Sequence, residues 1–231
     1  LVPAFKIASG DNDFWPLIDR VVQTGKPLII SLGLGQLANV DQVIEFVKAS
    51  ARKHGIPVSD LALLHCVASY PTPPEAAGLA AVHRLMGRGV TVGYSDHTLG
   101  IRAAELAVAA GARVIEKHFT IDKNHSAFRD HQLSADPADL KALVVTIREI
   151  EQMFSGTGDS SQECEAGNEK ALRRSIAAAR DLPQGHVVQY EDLCWVRPQV
   201  GLRPGQEDQV SGRPLNRSVA AGEAFTADFF D

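Results

Sequence analysis

Residues 90–120 read VTVGYSDHTLGIRAAELAVAAGARVIEKHFT, and this stretch decides the fold. It opens on an apolar run, Val90–Tyr94, the length of a strand buried on both faces. An Ala-rich helical segment, Ile101–Ala110, follows and is closed by Gly111. A second short run, Arg113–His118, completes a strand–helix–strand unit. A unit of this kind sets its strands side by side and parallel, with the helix on the crossover.

The same alternation recurs over the first 153 residues. Further strand-like runs are Ala4–Ala8, Pro27–Ser31 and Leu61–Val67. Val40, Val43, Ile44, Val47 and Ala51 form one apolar helical stripe, with Asn39 as candidate cap, Gln42 three residues on and Gly55 at the end. Asp136-Pro137 opens a last helix whose apolar residues are Leu140, Leu143, Val144, Ile147 and Ile150. Five β-then-α units predict a parallel sheet flanked by helices. It is either an open doubly wound sheet or part of a (β/α)8 barrel of the TIM type. The polar residues favour the barrel. Ser9, Ser31, Tyr70, Ser95, His97, Glu116 and His118 collect where strands end, which is where barrel enzymes carry their chemistry. No Gly-rich dinucleotide fingerprint follows a strand.

Residues 154–168 (FSGTGDSSQECEAGN) are small, polar and acidic, and read as a linker. Beyond it, Ser175–Ala179, Val187–Tyr190, Leu193–Val196 and Ala224–Phe225 are short candidate strands between Gly/Pro signals. They predict a compact β-rich module over 169–231.

Composition narrows the partners. The formal charge is −5, with 45% apolar and 22% charged residues, so neither nucleic acid nor an anionic membrane is expected. No uninterrupted apolar run reaches about 18 residues, and no basic-then-apolar leader opens the chain. Three scattered cysteines suit a reducing cytoplasm, the expected location.

Alternation along a strand puts Ser95 with His97, and Glu116 with His118. If both faces point inward, two imidazoles and a carboxylate meet at the barrel mouth and suit Mn²⁺, Zn²⁺ or Fe²⁺ with open positions for substrate. The equally open reading is two unrelated strand-end histidines. Lys6, beside Ser9, either pairs with an anion such as phosphate or snorkels to water. Tyr70 reaches a ligand or packs. His65 and Cys66 read as core residues. His54, His83, His125, His131 and His186 lack evident partners, Cys164 reads as inert, and Arg197 reads from pattern alone as a surface residue.

Five runs carry a family resemblance: FKIAS at 5–9, LLHCVASYPTPPEAA at 63–77, VGYSDHTLGI at 92–101, VIEKHFTIDK at 114–123, and RRSIAAARDLPQGHVVQYEDLCWVRPQVGLRPG at 173–205. In order along nearly the whole chain, they resemble the sialic acid synthases, the phosphoenolpyruvate-dependent N-acylneuraminate synthases with a C-terminal antifreeze-like (SAF) domain. The resemblance implies a barrel domain over 1–153, a linker and an SAF domain over 169–231. The implied reaction joins phosphoenolpyruvate to an open-chain N-acylmannosamine-type sugar and releases phosphate. By motif position it makes His97 and His118 ligands of Mn²⁺ or Mg²⁺. Lys6, Ser9 and Ser95 become phosphoenolpyruvate contacts, and Tyr70 and Glu116 lie near the sugar, with Glu116 assisting catalysis. Arg197 of one subunit would meet the sugar's acyl group in the other subunit's site, in a domain-exchanged homodimer.

Three departures accompany it. The family barrel has three strands upstream of the Lys6 strand, so the five units are expected to be a fragment with poor activity alone. Ala68 stands where many members carry Asn or Ser, so one phosphate or substrate hydrogen bond is missing or supplied elsewhere. The loop 124–131 replaces a Pro-Gly-Pro-Asp-type turn. Asp130 remains its candidate for a sugar hydroxyl, while Phe128 and Arg129 suggest an altered substituent. Two other readings stay in play: a non-catalytic sugar-binding relative, and a metal-dependent aldolase that takes pyruvate itself.

Overall fold

A computed structural model describes residues 2–57, 60–126, 129–156, 158 and 162–230. The chain divides into two compact units, Leu1–Gly156 and Thr157–Asp231. Residues 157 and 159–161 of the expected linker lie outside the described residues, as do Phe128 and the side chain of Arg129. The end of that linker is not without structure, because the helix Ala166–Leu172 begins inside it.

The first unit is built on strands β1 (Phe5–Ile7), β2 (Leu28–Ser31), β3 (Leu61–Cys66), β4 (Thr91–Asp96) and β5 (Val114–Lys117). All neighbours are parallel, and their order in the sheet is their order in the chain. A doubly wound sheet would reverse that order part-way, and this one does not. Helices α1 (Trp15–Val22), α2 (Val40–His54), α3 (Ala80–Leu85) and α4 (Arg102–Ala109) fill the crossovers; α5 (Arg129–Leu133) and α6 (Pro137–Met153) follow β5. Among the described residues no helix is long and apolar enough to cross a membrane.

The sheet is curled into a half-barrel, and one contact measures the curl. Lys6 on β1 and Glu116 on β5 belong to opposite edge strands. Four strand spacings in a flat sheet would hold those edges roughly 19 Å apart. Yet Lys6 Nζ lies 3.2 Å from Glu116 Oε2.

Period-two alternation sorts the side chains. Ile7, Leu28, Ile30, Leu63, Val92 and Tyr94 pack with Ile18, Val43, Val47, Val82 and Leu85 of the helices in one buried core. Lys6, Ser95 and Glu116 take the concave face. There Gly93 is required by close approach. A Cβ at this position would run into Leu64 Cδ2 and lie 2.5 Å from the Val114 carbonyl oxygen.

The helix ends follow their local chemistry. Asp136 accepts hydrogen bonds from the Ala138 and Asp139 N–H groups in a capping box with Pro137 beside it. Gly55 takes φ 66° and donates to the Ala51 and Arg52 carbonyls at the end of α2. The expected Asn39 cap is corrected: its side chain makes no cap bond, because a 3-10 turn at Gln36–Asn39 runs straight into the helix.

The second unit holds α7 (Ala166–Leu172) and an antiparallel pair, β6 (Ser175–Ala178) with β7 (Leu193–Val196). Two expected strands are corrected. Val187 and Ala224 make single bridges, to Pro214 and Ala177, and Tyr190–Asp192 is a 3-10 turn. Asp192 is the reason, since its carboxylate accepts the Gln189 N–H at 3.0 Å and closes the chain there. It also receives Arg180 Nε at 2.9 Å and His186 Nε2 at 2.6 Å, and is itself fully buried.

Two outcomes follow from this packing. Gly93→Ala is expected to lower stability by about 1–3 kcal/mol, read as a lower urea midpoint, because the Val114 backbone cannot move aside. The second concerns Asp192. Burial alone would raise its pKa, but the Gln189 N–H, His186 and Arg180 outweigh that and hold it at about 2, below the ordinary 3.8. A depressed folded-state pKa gives stability that is complete above the ordinary value and lost as pH falls towards the folded one. Hydrogen exchange in β6 and β7 is therefore expected to accelerate as pH falls from about 3.8 to about 2, and Asp192→Asn to remove that dependence.

Candidate active site

The site is set by the register of two strands. Ser95 lies opposite Glu116, and Asp96 opposite Lys117, as the last pairs of the β4–β5 ladder. Ser95 Oγ donates to Glu116 Oε1 at 2.7 Å. One step beyond the ladder stand His97 and His118, with ring centres 5.4 Å apart and planes at 63°. Lys6, Ala8, Ser95, His97, Glu116 and His118, together with Asp96 and Lys117, line a cavity of about 370 Å³ at the C-terminal strand ends.

Each group has a fixed partner. His97 Nδ1 lies 2.8 Å from the Val67 carbonyl oxygen, so this nitrogen carries the proton of the neutral ring and Nε2 keeps its lone pair. Burial pushes the His97 pKa down, against the opposing effect of the Val67 carbonyl. Tyr70 packs on both imidazoles, 4.2 Å from the His97 centre and 5.9 Å, edge-on, from His118. Lys6 pairs with Glu116, as described above, and donates to the Ile7 carbonyl at 3.3 Å. Cys66, buried beneath, places its sulfur 3.8 Å from His97 Nδ1; burial pushes this thiol's pKa up.

Of the residues expected here, Lys6, Ser95, His97, Glu116 and His118 therefore line one cavity, with Tyr70 against its histidines. Ser9 starts a 3-10 turn after β1 and packs against Gly33 rather than lining it. Asp130 sits on α5 and is not among the lining residues. Ala68, half-buried after β3, offers no side-chain hydrogen bond. Arg197 belongs to the second unit, where it is exposed just past β7. His54 and His186 do have partners, the carboxylates of Asp19 and Asp192. His65 donates Nε2–H to the Ala77 carbonyl at 2.8 Å, and burial lowers its pKa.

One feature escaped the sequence reading. Asp96 and Lys117 form a buried ion pair at 2.9 Å on the helix-facing side of the sheet. Its signal was present: alternation places both on the apolar face, where a charge must find a partner.

His97 and His118 are the residues that could hold a divalent ion here. Rings whose nitrogens each lie about 2.1 Å from one ion sit roughly 5 Å apart centre to centre. Among the described residues, no group of three or more His, Cys, Asp or Glu residues suited to a metal occurs.

Comparison with known proteins places these motifs. Residues 1–159 match the NeuB family and residues 173–231 the SAF domain. The chain is 42% identical over 219 residues to the uncharacterized protein MJ1065 of Methanocaldococcus jannaschii, across 94% of this chain and 62% of that one. It is 38% identical over 223 residues to the N,N'-diacetyllegionaminic acid synthase of Legionella pneumophila, across 96% and 62%. Among solved structures, the N-acetylneuraminic acid (sialic acid) synthetase of Leptospira borgpetersenii aligns with a TM-score of 0.64 at 32% identity, over 72% of this chain and 56% of that one. The chain thus spans 62% of the length of these two curated relatives.

The His97 geometry is directly measurable. Long-range ¹H–¹⁵N spectra of the neutral ring are expected to show the Nδ1–H tautomer; a predominant Nε2–H form would contradict the bond to Val67.

Proposed function

The chain belongs to the NeuB family, and we propose that its first unit is part of a (β/α)8 barrel that condenses phosphoenolpyruvate with an N-acylated, mannosamine-type sugar. The product is a nonulosonate, and phosphate is released. The observation that carries this reading is the single cavity in which a lysine, a carboxylate and two imidazoles meet at the strand ends.

The roles follow from charge and reach. Lys6 is the cation for the phosphate of phosphoenolpyruvate, with Ser95 and Ser9 as hydroxyl donors. When Lys6 turns to phosphate it leaves Glu116, whose carboxylate is then available to accept a proton beside the sugar. His97 and His118 would hold the divalent ion, Mn²⁺ or Mg²⁺. Bound there, the ion supplies Lewis-acid polarisation of the sugar aldehyde. Tyr70 keeps both rings in place by packing, and its position suits the sugar as well. Asp130 and, from a partner subunit in a domain-exchanged dimer, Arg197 are proposed for sugar hydroxyl and acyl groups.

The bonds balance as follows. The enol carbon of phosphoenolpyruvate bonds to the aldehyde carbon, whose oxygen gains a proton. Water adds at the former enol C2 and gives up a proton. The bond between C2 and the bridging oxygen then breaks, phosphate leaves with that oxygen, and the C2 hydroxyl gives its proton to the departing phosphate to become the 2-keto group.

The test is the intact protein with Mn²⁺, phosphoenolpyruvate and a panel of acylated hexosamines. Phosphate release that depends on the sugar is expected, and ¹⁸O in the bridging position should leave with phosphate. Release with no sugar in the panel would overturn the reading, and turnover of pyruvate would favour an aldolase. His97→Ala and His118→Ala are each expected to lower turnover on the order of 10³-fold, the several kcal/mol that a Lewis-acid ion supplies.

A further inference from the structure

We propose that the buried Asp96–Lys117 ion pair is a positioning device, which sets the spacing and orientation of His97 and His118 from behind the sheet. Its bearing on metal rests on the reading of those rings as an ion-binding pair; its bearing on ring geometry does not.

The pair sits where the backbone ladder ends. Asp96↔Lys117 is the last register pair of β4 and β5, so no further ladder bond joins these two strands at the residues that follow, whose carbonyls instead accept the Thr72 and Ala135 N–H groups at 2.9 and 2.8 Å. Those residues are the two histidines. Between β4 and β5 it is side chains that continue the connection. Lys117 Nζ donates to Asp96 Oδ2 and to the Thr98 carbonyl, each at 2.9 Å. Asp96 Oδ1 accepts the Thr98 N–H, also at 2.9 Å. The residues on both sides of His97 are thereby tied to the residue just before His118. The Asp96 and Lys117 side chains are 0% and 5% exposed, so water does not compete for these bonds. Tyr94 closes the network from the same face, where burial and then the Asp96 charge push its phenol pKa up.

Stability does not account for the pair. Two charges taken out of water are often replaced by apolar side chains of similar volume without loss. What an apolar replacement cannot supply is direction: three short bonds of fixed geometry that converge on Thr98 and Asp96. Groups one shell behind metal-binding side chains commonly change affinity 10–100-fold.

The double variant Asp96→Leu/Lys117→Met removes both charges and leaves neither unpaired. In the intact protein it is expected to keep its melting temperature. Ion-free ring spectra should lose the single Nδ1–H form of His97, and Mn²⁺ affinity, read by the resonance of free Mn²⁺, should fall 10–100-fold. Parent-like ring spectra in a folded double variant would overturn the proposal. Failure of the parent to bind Mn²⁺ would instead remove the metal reading, while the ring spectra still decide the positioning role. If the apolar pair does not fold, Asp96→Asn/Lys117→Gln is measured in the same way; a several-fold loss of affinity supports the proposal, and parent affinity with parent-like spectra overturns it.

Discussion

A slip of one residue between β4 and β5 would turn Ser95, His97, Glu116 and His118 towards the helices and bring Asp96 and Lys117 into the mouth. The whole site is a consequence of that register. On the concave side it brings Ser95 to Glu116 at 2.7 Å and the two imidazoles to 5.4 Å. On the helix side it seals an ammonium against a carboxylate among Tyr94 and its apolar neighbours. Both layers resist a slip, because either set of groups is costly in the other's environment.

Much of this was legible in the sequence because periodicity survives folding. The runs around β3, β4 and β5 were visible as apolar stretches, the α2 stripe as helical spacing, and the Asp136 cap as a local signature. Lys6, Ser95, His97, Glu116 and His118 could be assigned to strand ends before any coordinates. The misses share a cause, namely dependence on what a residue meets in space. Asn39 has the chemistry of a cap, but the turn before it already supplies a helical entry. Val187–Tyr190 has the composition of a strand, but Asp192 draws its end into a turn.

The Lys6–Glu116 contact shows how the concave face balances its charge. The lysine and carboxylate are 29% and 42% exposed, so their attraction is screened and individually weak. Weakness suits the place. A phosphate dianion offers the lysine a stronger partner than one carboxylate does. Ser95 gives its one hydroxyl proton to the other carboxylate oxygen. The ion pair behind the sheet has the opposite character, buried and with each charge bound twice.

Chain-order winding has a consequence for how the molecule comes into being. Each strand pairs with the one made just before it, so the sheet can lengthen in one direction while the polypeptide is still being synthesised. Among these five strands, none has to wait for a distant late one to find its neighbour. Each addition still requires a complete helical excursion before its ladder closes, which makes parallel pairing slow. Until the next strand arrives, the growing margin is an unsatisfied row of amides and carbonyls, open to any extended segment nearby.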